Sequence, residues 1–367
     1  MKGSFSLNKI LLALFGILII GSLLLSKTWA DSGPNHQTFQ TRAIQLGTTG
    51  GNINDISSSF CCSGTLGALV QNSGGVQFIL SNNHVLARTN KGIIGESIIQ
   101  PGLIDQIPVC SQDVLDTVAN LSAFKKIKFR FGATNTIDAA IAQVVSGAVD
   151  PSGSILDIGQ VSSSIIAPAV GMSVKKSGRT TGLTTGTIKS VNLTVSITYD
   201  KRCGIGNRTA LFVNQIGISP GGFSAAGDSG SLIVEDVGTC PRAVGLLFAG
   251  SSSITIANPI GNVLNAFGVS MVGCPASASQ TASPLQGLPL DSPAIASANQ
   301  VKSQHEQALL SISGVLGVGV GVSQKAHNQG VIHIYAEKAT NELIKALPNQ
   351  IEGIPIEVIE TGEILAF

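Results

Sequence analysis

A serine set between two glycines carries the clearest chemical signal in the chain. Residues 226–232 read Ala-Gly-Asp-Ser-Gly-Ser-Leu. A serine hydroxyl is a weak nucleophile that needs a base beside it, and attack on a carbonyl creates an oxyanion that needs N–H donors. Glycine at position 227 lets the backbone turn so that N–H groups converge, and glycine at position 230 leaves room for a substrate. The segment predicts Ser229 as a nucleophile and the N–H groups of Gly227 and Ser229 as an oxyanion hole.

An activated serine needs a histidine, and the chain contains five of them. His84 follows the strand-like run Phe-Ile-Leu-Ser-Asn-Asn and precedes the small-residue segment Val-Leu-Ala. A purely structural histidine would also suit this position, but the downstream Ser229 favours His84 as the general base. The other histidines lie in a polar N-terminal stretch or beyond a linker: His36, His305, His327 and His333.

Asp138 is the candidate for the acid that orients the imidazole. It precedes the apolar, strand-like run Ala-Ala-Ile-Ala-Gln-Val. An aspartate at the end of a surface strand is the alternative interpretation. Asp105, Asp113 and Asp116 compete for the role, but their surroundings are polar and loop-like.

These motifs, in the chain order His84, Asp138 and Ser229, resemble the trypsin-like serine peptidases of the chymotrypsin fold. Residues 174–189, which read Val-Lys-Lys-Ser-Gly-Arg-Thr-Thr-Gly-Leu-Thr-Thr-Gly-Thr-Ile-Lys, are similar to the hairpin that opens the second barrel in bacterial enzymes of the alpha-lytic and streptogrisin types. The resemblance covers residues 56–270. It implies a mostly β fold with two six-stranded antiparallel β-barrels. It also implies a Ser-His-Asp triad that hydrolyses a protein or peptide substrate through an acyl-enzyme and without a cofactor.

The resemblance extends to the substrate-binding strand. Residues 243–250 read Ala-Val-Gly-Leu-Leu-Phe-Ala-Gly, which makes Phe248, Ala249 and Gly250 candidates for substrate binding. Animal members of the family carry a serine here that supports the acid, so the groups around the acid must differ in this chain. Phe223, six residues before the proposed nucleophile, corresponds to the base of the specificity pocket. Because an aromatic ring cannot pair with a cation there, we expect small apolar residues rather than Lys or Arg before the cleaved bond.

Composition narrows the class of protein further. The 367 residues are enough for two barrels and one additional module. Charged residues make up only 12%, and the formal net charge of +1 gives no indication of a nucleic-acid partner. Abundant glycine and few aromatic residues are typical of a compact β-rich protein with many tight turns.

Six cysteines in an exported chain predict disulfide bonds. Six cysteines allow fifteen connectivities, so the sequence does not choose among them. The adjacent Cys61 and Cys62 are expected to have different partners. No spacing typical of a metal site occurs, so we expect no bound metal. The cysteines are Cys61, Cys62, Cys110, Cys203, Cys240 and Cys274.

The N-terminus has the pattern of a signal peptide at residues 1–30. Lys2 and Lys9 are followed by the apolar run Ile10–Leu25 and then by Thr-Trp-Ala, where cleavage is expected. The run is shorter than the roughly 20 residues of a spanning helix, which favours cleavage over a retained anchor. We therefore expect a protein that is secreted, periplasmic or in the cell envelope, without membrane attachment after cleavage.

The remaining chain divides by composition and periodicity. Residues 31–55 are polar and are either a pro-segment or the first strand of the barrel, and residues 56–274 form the expected peptidase domain. Residues 275–299 are an Ala-, Ser- and Pro-rich linker. Residues 300–367 predict a small α+β domain of the order helix, strand, strand, helix, strand. The Gly-Val alternation at 314–322 gives one strand face made of glycine, which we expect to pack closely on the module's own helices, although it would also admit another backbone.

Three other functions remain open at this point. The first is a catalytically inactive relative that binds peptides. The second is a cell-envelope binding protein that acts through the module at 300–367. The third is an esterase that uses the same three residues.

Overall fold

The computed structural model describes residues 35–275, 287–323 and 329–367. These described residues belong to one compact unit. The predicted signal peptide at residues 1–30 lies outside the described residues, and the domain boundaries given above stay predictions.

The described chain is mostly β, as the sequence predicts. The strands up to residue 144 are β1 (Thr48–Asn52), β2 (Gly64–Leu66), β3 (Ala68–Gln71), β4 (Gln77–Ser81), β5 (Ser97–Ile99), β6 (Thr117–Phe124), β7 (Thr134–Asn135) and β8 (Ala140–Val144). The strands from residue 173 to 271 are β9 (Ser173–Gly178), β10 (Gly182–Arg202), β11 (Ile205–Ser219), β12 (Leu232–Glu235), β13 (Ala243–Gly250), β14 (Thr255–Pro259) and β15 (Ser270–Met271). The strands beyond residue 314 are β16 (Val315–Val322), β17 (Gly330–Ala336), β18 (Gln350–Ile351), β19 (Ile354–Glu360) and β20 (Leu365–Ala366). The helices are α1 (Asn83–Leu86), α2 (Ile260–Phe267), α3 (Pro293–Leu310) and α4 (Asn341–Ala346).

The first sheet closes into a barrel with six strand positions. Its hydrogen-bonded order is β15-β3-β4-β8-β6-β5-β1-β2. Only Gly67 separates β2 from β3, so these two strands continue each other and bring the two ends of the order together. Since β1 pairs with both β2 and β5, residues 48–52 are an integral barrel strand. This part of the predicted N-terminal segment therefore belongs to the fold.

The second sheet contains a second closed barrel. The pairings run β10-β9-β12-β13-β14-β11, and β11 pairs back to β10. The expected hairpin is present, with Gly178 opposite Gly182 and three residues in the turn between β9 and β10. β10 and β11 extend beyond the barrel as a long hairpin that runs to Arg202 and Ile205.

Apolar side chains fill both barrels, and one buried cluster contains residues of both. Leu69, Ile79 and Leu80 belong to the buried core of the first barrel. Ile218 and Phe223 belong to a core of the second barrel. The alternation of apolar and polar residues along a strand explains this, because every second side chain points inward.

The module beyond residue 287 continues the second sheet. β16 pairs antiparallel with β10, and β17 pairs parallel with β19. The order α3, β16, β17, α4, β19 matches the predicted order of elements. α3 begins at Pro293, inside the range that the sequence indicates as linker, because Ile295 and Ala298 are fully buried against the second core.

The glycine face of β16 packs differently from our expectation. A Cβ atom at Gly317 would lie 2.8 Å from the carbonyl oxygen of Thr194, and one at Gly319 would lie 3.2 Å from side-chain atoms of Leu193. Both partners belong to β10, so the glycines admit the neighbouring barrel strand and not the module's own helices. The valines on the opposite face pack near α3 instead. The favoured interpretation from the sequence was wrong, and the alternative of a close backbone approach is what the structure contains.

Three disulfides join the six cysteines, and the adjacent pair has different partners as expected. The bonds are Cys61–Cys110, Cys62–Cys203 and Cys240–Cys274. The second of these fixes the tip of the β10–β11 hairpin to the first barrel. Within the described ranges, no helix has the length and apolar character that crossing a membrane requires.

Candidate active site

His84 lies in α1, where the buried strand β4 gives way to a short helical turn. Its side chain is only 10% exposed. The Nδ1–H group donates a hydrogen bond to Oδ2 of Asp138 at 2.6 Å. The structure therefore brings together the predicted base and the predicted acid, which are distant in sequence.

Asp138 precedes β8 and is fully buried. Its Oδ1 accepts hydrogen bonds from the backbone N–H groups of Asn83 at 2.7 Å and of His84 at 3.3 Å. Asn82 donates its side-chain amide to the Asp138 carbonyl, and the Asp138 N–H donates to the side chain of Asn258. A buried carboxylate is tolerated only when such donors compensate for lost water. The arrangement holds the carboxylate rigidly against the imidazole.

Tyr199 completes the shell around the acid. Its hydroxyl donates to Oδ2 of Asp138 at 2.8 Å, and the residue is 2% exposed. Tyr199 lies on the long hairpin near Cys203, so the disulfide to Cys62 holds this part of β10 against the first barrel. Tyr199 therefore supplies the hydrogen bond to the acid that sequence analysis did not find. The only sequence feature that could have drawn attention to Tyr199 is that the chain has just two tyrosines.

The electrostatics favour a charged imidazole. Burial lowers the pKa of His84, but the negative charge and hydrogen bond of Asp138 outweigh this, with a further contribution from the Phe367 carbonyl, so the pKa is raised. Burial and the Asp138 charge raise the pKa of Tyr199 well above its ordinary value. The phenol therefore stays protonated and remains a donor.

Ser229 lies on the loop before β12 and is fully buried. Its hydroxyl donates to the carbonyl oxygen of Phe248 at 3.1 Å. The Nε2–H group of His84 donates instead to the carbonyl oxygen of Phe367 at 2.8 Å. The serine and the histidine thus reach the same cleft from opposite barrels, while each has another partner.

The loop around the serine depends on its two glycines. Gly227 has φ of +96° and Gly230 has φ of +94°, a backbone conformation that residues other than glycine rarely adopt. A Cβ atom at Gly230 would also lie 2.3 Å from the carbonyl oxygen of Thr65. Among the described residues, the N–H groups of Gly227 and Ser229 have no protein acceptor.

A buried ion pair holds the same loop. Lys176 and Asp228 are both fully buried, and Lys176 Nζ lies 3.4 Å from Oδ2 of Asp228. Asp228 also accepts from the N–H groups of Thr180 and Thr181 and from the Thr181 hydroxyl. Thr180 and Thr181 lie in the turn of the β9–β10 hairpin. The hairpin therefore holds Asp228, the residue that precedes Ser229, in place. Burial lowers the pKa of Lys176, while the charge of Asp228 opposes this shift.

The predicted substrate-binding residues present their backbone to the cleft. The centroid of the Phe248 ring lies 4.8 Å from that of the Phe212 ring in the core. Only the Phe248 carbonyl therefore reaches the cleft. Ala249 and Gly250 pair with Ala366 and Leu365 of β20. Phe223 lies in a short helical turn, 1% exposed, within the second core.

The competing acids and histidines have other partners. Asp105 forms a bidentate pair with Arg179 at 2.6 and 2.7 Å, so Arg179 fixes the hairpin. His327 lies outside the described residues. The others pair as follows: His36 with Asp157, His305 with Glu352, His333 with Ser190, Asp113 with Leu115, and Asp116 with Gln106.

A cavity of about 390 Å³ adjoins the histidine. His84, Gly227 and Phe367 line it, together with Asp55 and Arg88. Burial raises the pKa of Asp55 to about 7, and the charges of Arg88 and His84 oppose the rise. The cavity offers space beside the reacting groups. No cluster of three or more metal-ligating side chains occurs in the part of the chain that the structure describes.

A protein-family model and several solved structures are similar to parts of this chain. A family model described as the Nal1 C-terminal domain matches residues 124–257. No curated protein matches the chain. A glutamic acid-specific serine protease that uses a histidine triad in substrate binding is similar at 22% identity, with a TM-score of 0.43, over 62% of this chain and all of that one. Thermobifida fusca protease A is similar at 19% identity, with a TM-score of 0.40, over 63% of this chain and 99% of that one. Cellulomonas bogoriensis chymotrypsin is similar at 18% identity, with a TM-score of 0.39, over the same shares.

Two closed antiparallel barrels, with His84 and Asp138 on the first and Ser229 on the second, define a chymotrypsin-like fold. The sequence predicted this fold class, and the structure confirms it.

Proposed function

We propose that this protein is an exported serine endopeptidase that cleaves peptide bonds with Ser229, His84 and Asp138. The observation that carries the proposal is the buried His84–Asp138 pair, whose Nε2 faces the cleft and bonds to the main-chain oxygen of Phe367 at 2.8 Å. A general base must lie within hydrogen-bond reach of the groups between which it moves a proton.

The reaction follows from these positions. Ser229 Oγ forms a bond to the substrate carbonyl carbon while its proton passes to His84 Nε2. The N–H groups of Gly227 and Ser229 stabilise the oxyanion. The C–N bond then breaks as the imidazolium gives its proton to the leaving amine, which leaves an acyl-enzyme. Water repeats the sequence and releases the acid, while Asp138 holds the imidazole in place throughout.

Export is supported by the cysteines. Disulfides persist in oxidising compartments such as the periplasm or the extracellular space. Three disulfides join all six cysteines of the chain. We propose a secreted, periplasmic or cell-envelope protein that acts on protein or peptide substrates, with a peptidase domain at 56–274.

Fluorophosphonate labelling, followed to completion and combined with peptide mapping, tests the proposal. We expect one label on Ser229, none in Ser229→Ala, and normal labelling in Ser253→Ala, which changes an exposed serine. Hydrolysis of matched peptide amides and esters then separates a peptidase from an esterase. Absence of labelling in both the unaltered chain and Ser253→Ala would overturn the proposal.

A peptide-binding protein without turnover is the second candidate. It is favoured by the Ser229 hydroxyl, which bonds to Phe248 and not to His84. A protein of this kind would bind peptides in the cleft and resist the fluorophosphonate.

A further inference from the structure

The segment Ile364–Phe367 lies in the cleft in the manner of a bound peptide. Leu365 and Ala366 form β20, which pairs antiparallel with the end of β13. Ala366 is opposite Ala249, and Leu365 is opposite Gly250. Peptides commonly bind to an exposed strand edge by such strand addition.

Phe367 then reaches the reacting groups. Its N–H points to the carbonyl oxygen of Phe248 at 3.5 Å, and its own carbonyl oxygen accepts from His84 Nε2 at 2.8 Å. The Phe367 oxygen therefore lies beside the proposed base and outside the oxyanion hole, whose two N–H groups have no protein acceptor among the described residues.

We propose that Leu365–Phe367 is a built-in substrate analogue that blocks the cleft, and that the pocket holding the Phe367 ring selects a large aromatic side chain on the acyl side of the cleaved bond. The inference rests on the proposed function and names the substrate class of the same site.

The pocket has the shape that this selection requires. A Cβ atom at Gly250 would lie 2.7 Å from Cζ and 2.9 Å from Cε2 of Phe367, so the ring occupies space that only glycine leaves free. The ring packs against the apolar cluster that includes Ile218, Phe223 and Leu247. Because Phe223 is held in this core, the pocket still accommodates a phenyl ring, which replaces our expectation of small residues.

The preceding residues anchor the segment. Ile364 is 1% exposed in the cluster that contains Tyr199 and Phe248. The Thr198 N–H donates to the Ile364 carbonyl at 3.0 Å, and the Thr361 N–H donates to the Ala336 carbonyl at 2.8 Å. An anchored segment acts at an effective concentration on the order of 1 mM. A cleft with an affinity of about 0.1 mM for the free peptide would then be open only about a tenth of the time.

Peptide binding tests the inference independently of catalysis. The probe is a fluorescein-labelled peptide that ends in Leu-Ala-Phe, with matched peptides that end in Ala, Lys or Glu. We expect the Phe peptide to bind a Ser229→Ala protein lacking residues 365–367 at least about tenfold more tightly than the others. The full Ser229→Ala chain should bind about tenfold more weakly, because its cleft is occupied. Equal binding of all peptides, or equal binding to both proteins, overturns the inference.

Labelling rates separate this inference from the proposed function. We expect Phe367→Asp, which keeps the chain length, to label with fluorophosphonate about tenfold faster than the unaltered chain. Phe131→Asp, which changes a fully exposed phenylalanine, should leave the rate unchanged. Selective peptide binding without labelling in any protein would reject the proposed function and support the inference. Equal labelling in all three proteins, without peptide binding, would reject the inference and leave the proposed function intact.

Discussion

Replacing Tyr199 by phenylalanine removes one hydrogen bond from the buried acid and little else. The centroid of the Tyr199 ring lies 5.6 Å from that of Phe129 and 6.1 Å from that of Phe212, and these ring contacts do not involve the Tyr199 hydroxyl. A hydrogen bond to a charged group contributes about 1.5–3 kcal/mol. Since Asp138 is fully buried, water does not replace the lost donor. We expect the free energy of unfolding of Tyr199→Phe to fall by about 1.5–3 kcal/mol.

The same change alters the pH dependence of activity. The Tyr199 hydroxyl draws negative charge from Asp138, so its loss strengthens the attraction between Asp138 and protonated His84. The pKa of His84, already raised, rises further. Each 1.36 kcal/mol of added attraction corresponds to about one pH unit. We expect the acid limb of kcat/KM to move to higher pH by about half a unit to one unit.

Two assays on the protein without residues 365–367 check both effects: denaturant unfolding and kcat/KM for a peptide substrate between pH 5 and 9. Tyr335→Phe is the matched control, because Tyr335 is the other tyrosine and its hydroxyl bonds to the neutral Ser190 at 2.6 Å. The control should lose about 0.5–1.5 kcal/mol of stability and keep the pH profile. Unchanged stability in Tyr199→Phe, or an acid limb that moves to lower pH, would refute the reasoning.

Two further predictions follow from buried charges at the site. Lys176→Met leaves the Asp228 carboxylate without its counter-charge, so the free energy of unfolding should fall by about 3–5 kcal/mol in denaturant titrations, whereas Lys175→Met should cost less than about 1 kcal/mol. The bond from His84 Nε2 to Phe367 needs a protonated imidazole, because Nδ1 also donates. This hydrogen bond to Phe367 is therefore present at low pH and is lost as the pH rises through the raised pKa of His84. The labelling advantage of Phe367→Asp should accordingly shrink with increasing pH, and an advantage that grows would contradict this assignment.

The sequence predicted the groups that local patterns determine. His84 follows an apolar run, Asp138 precedes one, and Ser229 lies between two glycines. The two barrels follow from short β-prone segments separated by turns. The same holds for the elements of the final module.

Contacts between distant segments were not predictable in the same way. Tyr199 reaches Asp138 across a hairpin whose position depends on the Cys62–Cys203 bond, and six cysteines allow fifteen pairings. Phe367 lies 283 residues from His84 in the chain, and no local pattern links them. The glycine face of β16 had two physically reasonable partners, and only the packing of the whole sheet decides between them.

The most direct test of the central claim is the rate at which Ser229 reacts with a fluorophosphonate when its proposed base is removed. We expect a single adduct on Ser229 in the unaltered chain, none in Ser229→Ala, and labelling slower by at least about a thousandfold in His84→Ala. An adduct on another residue, or equally fast labelling without His84, would contradict the account.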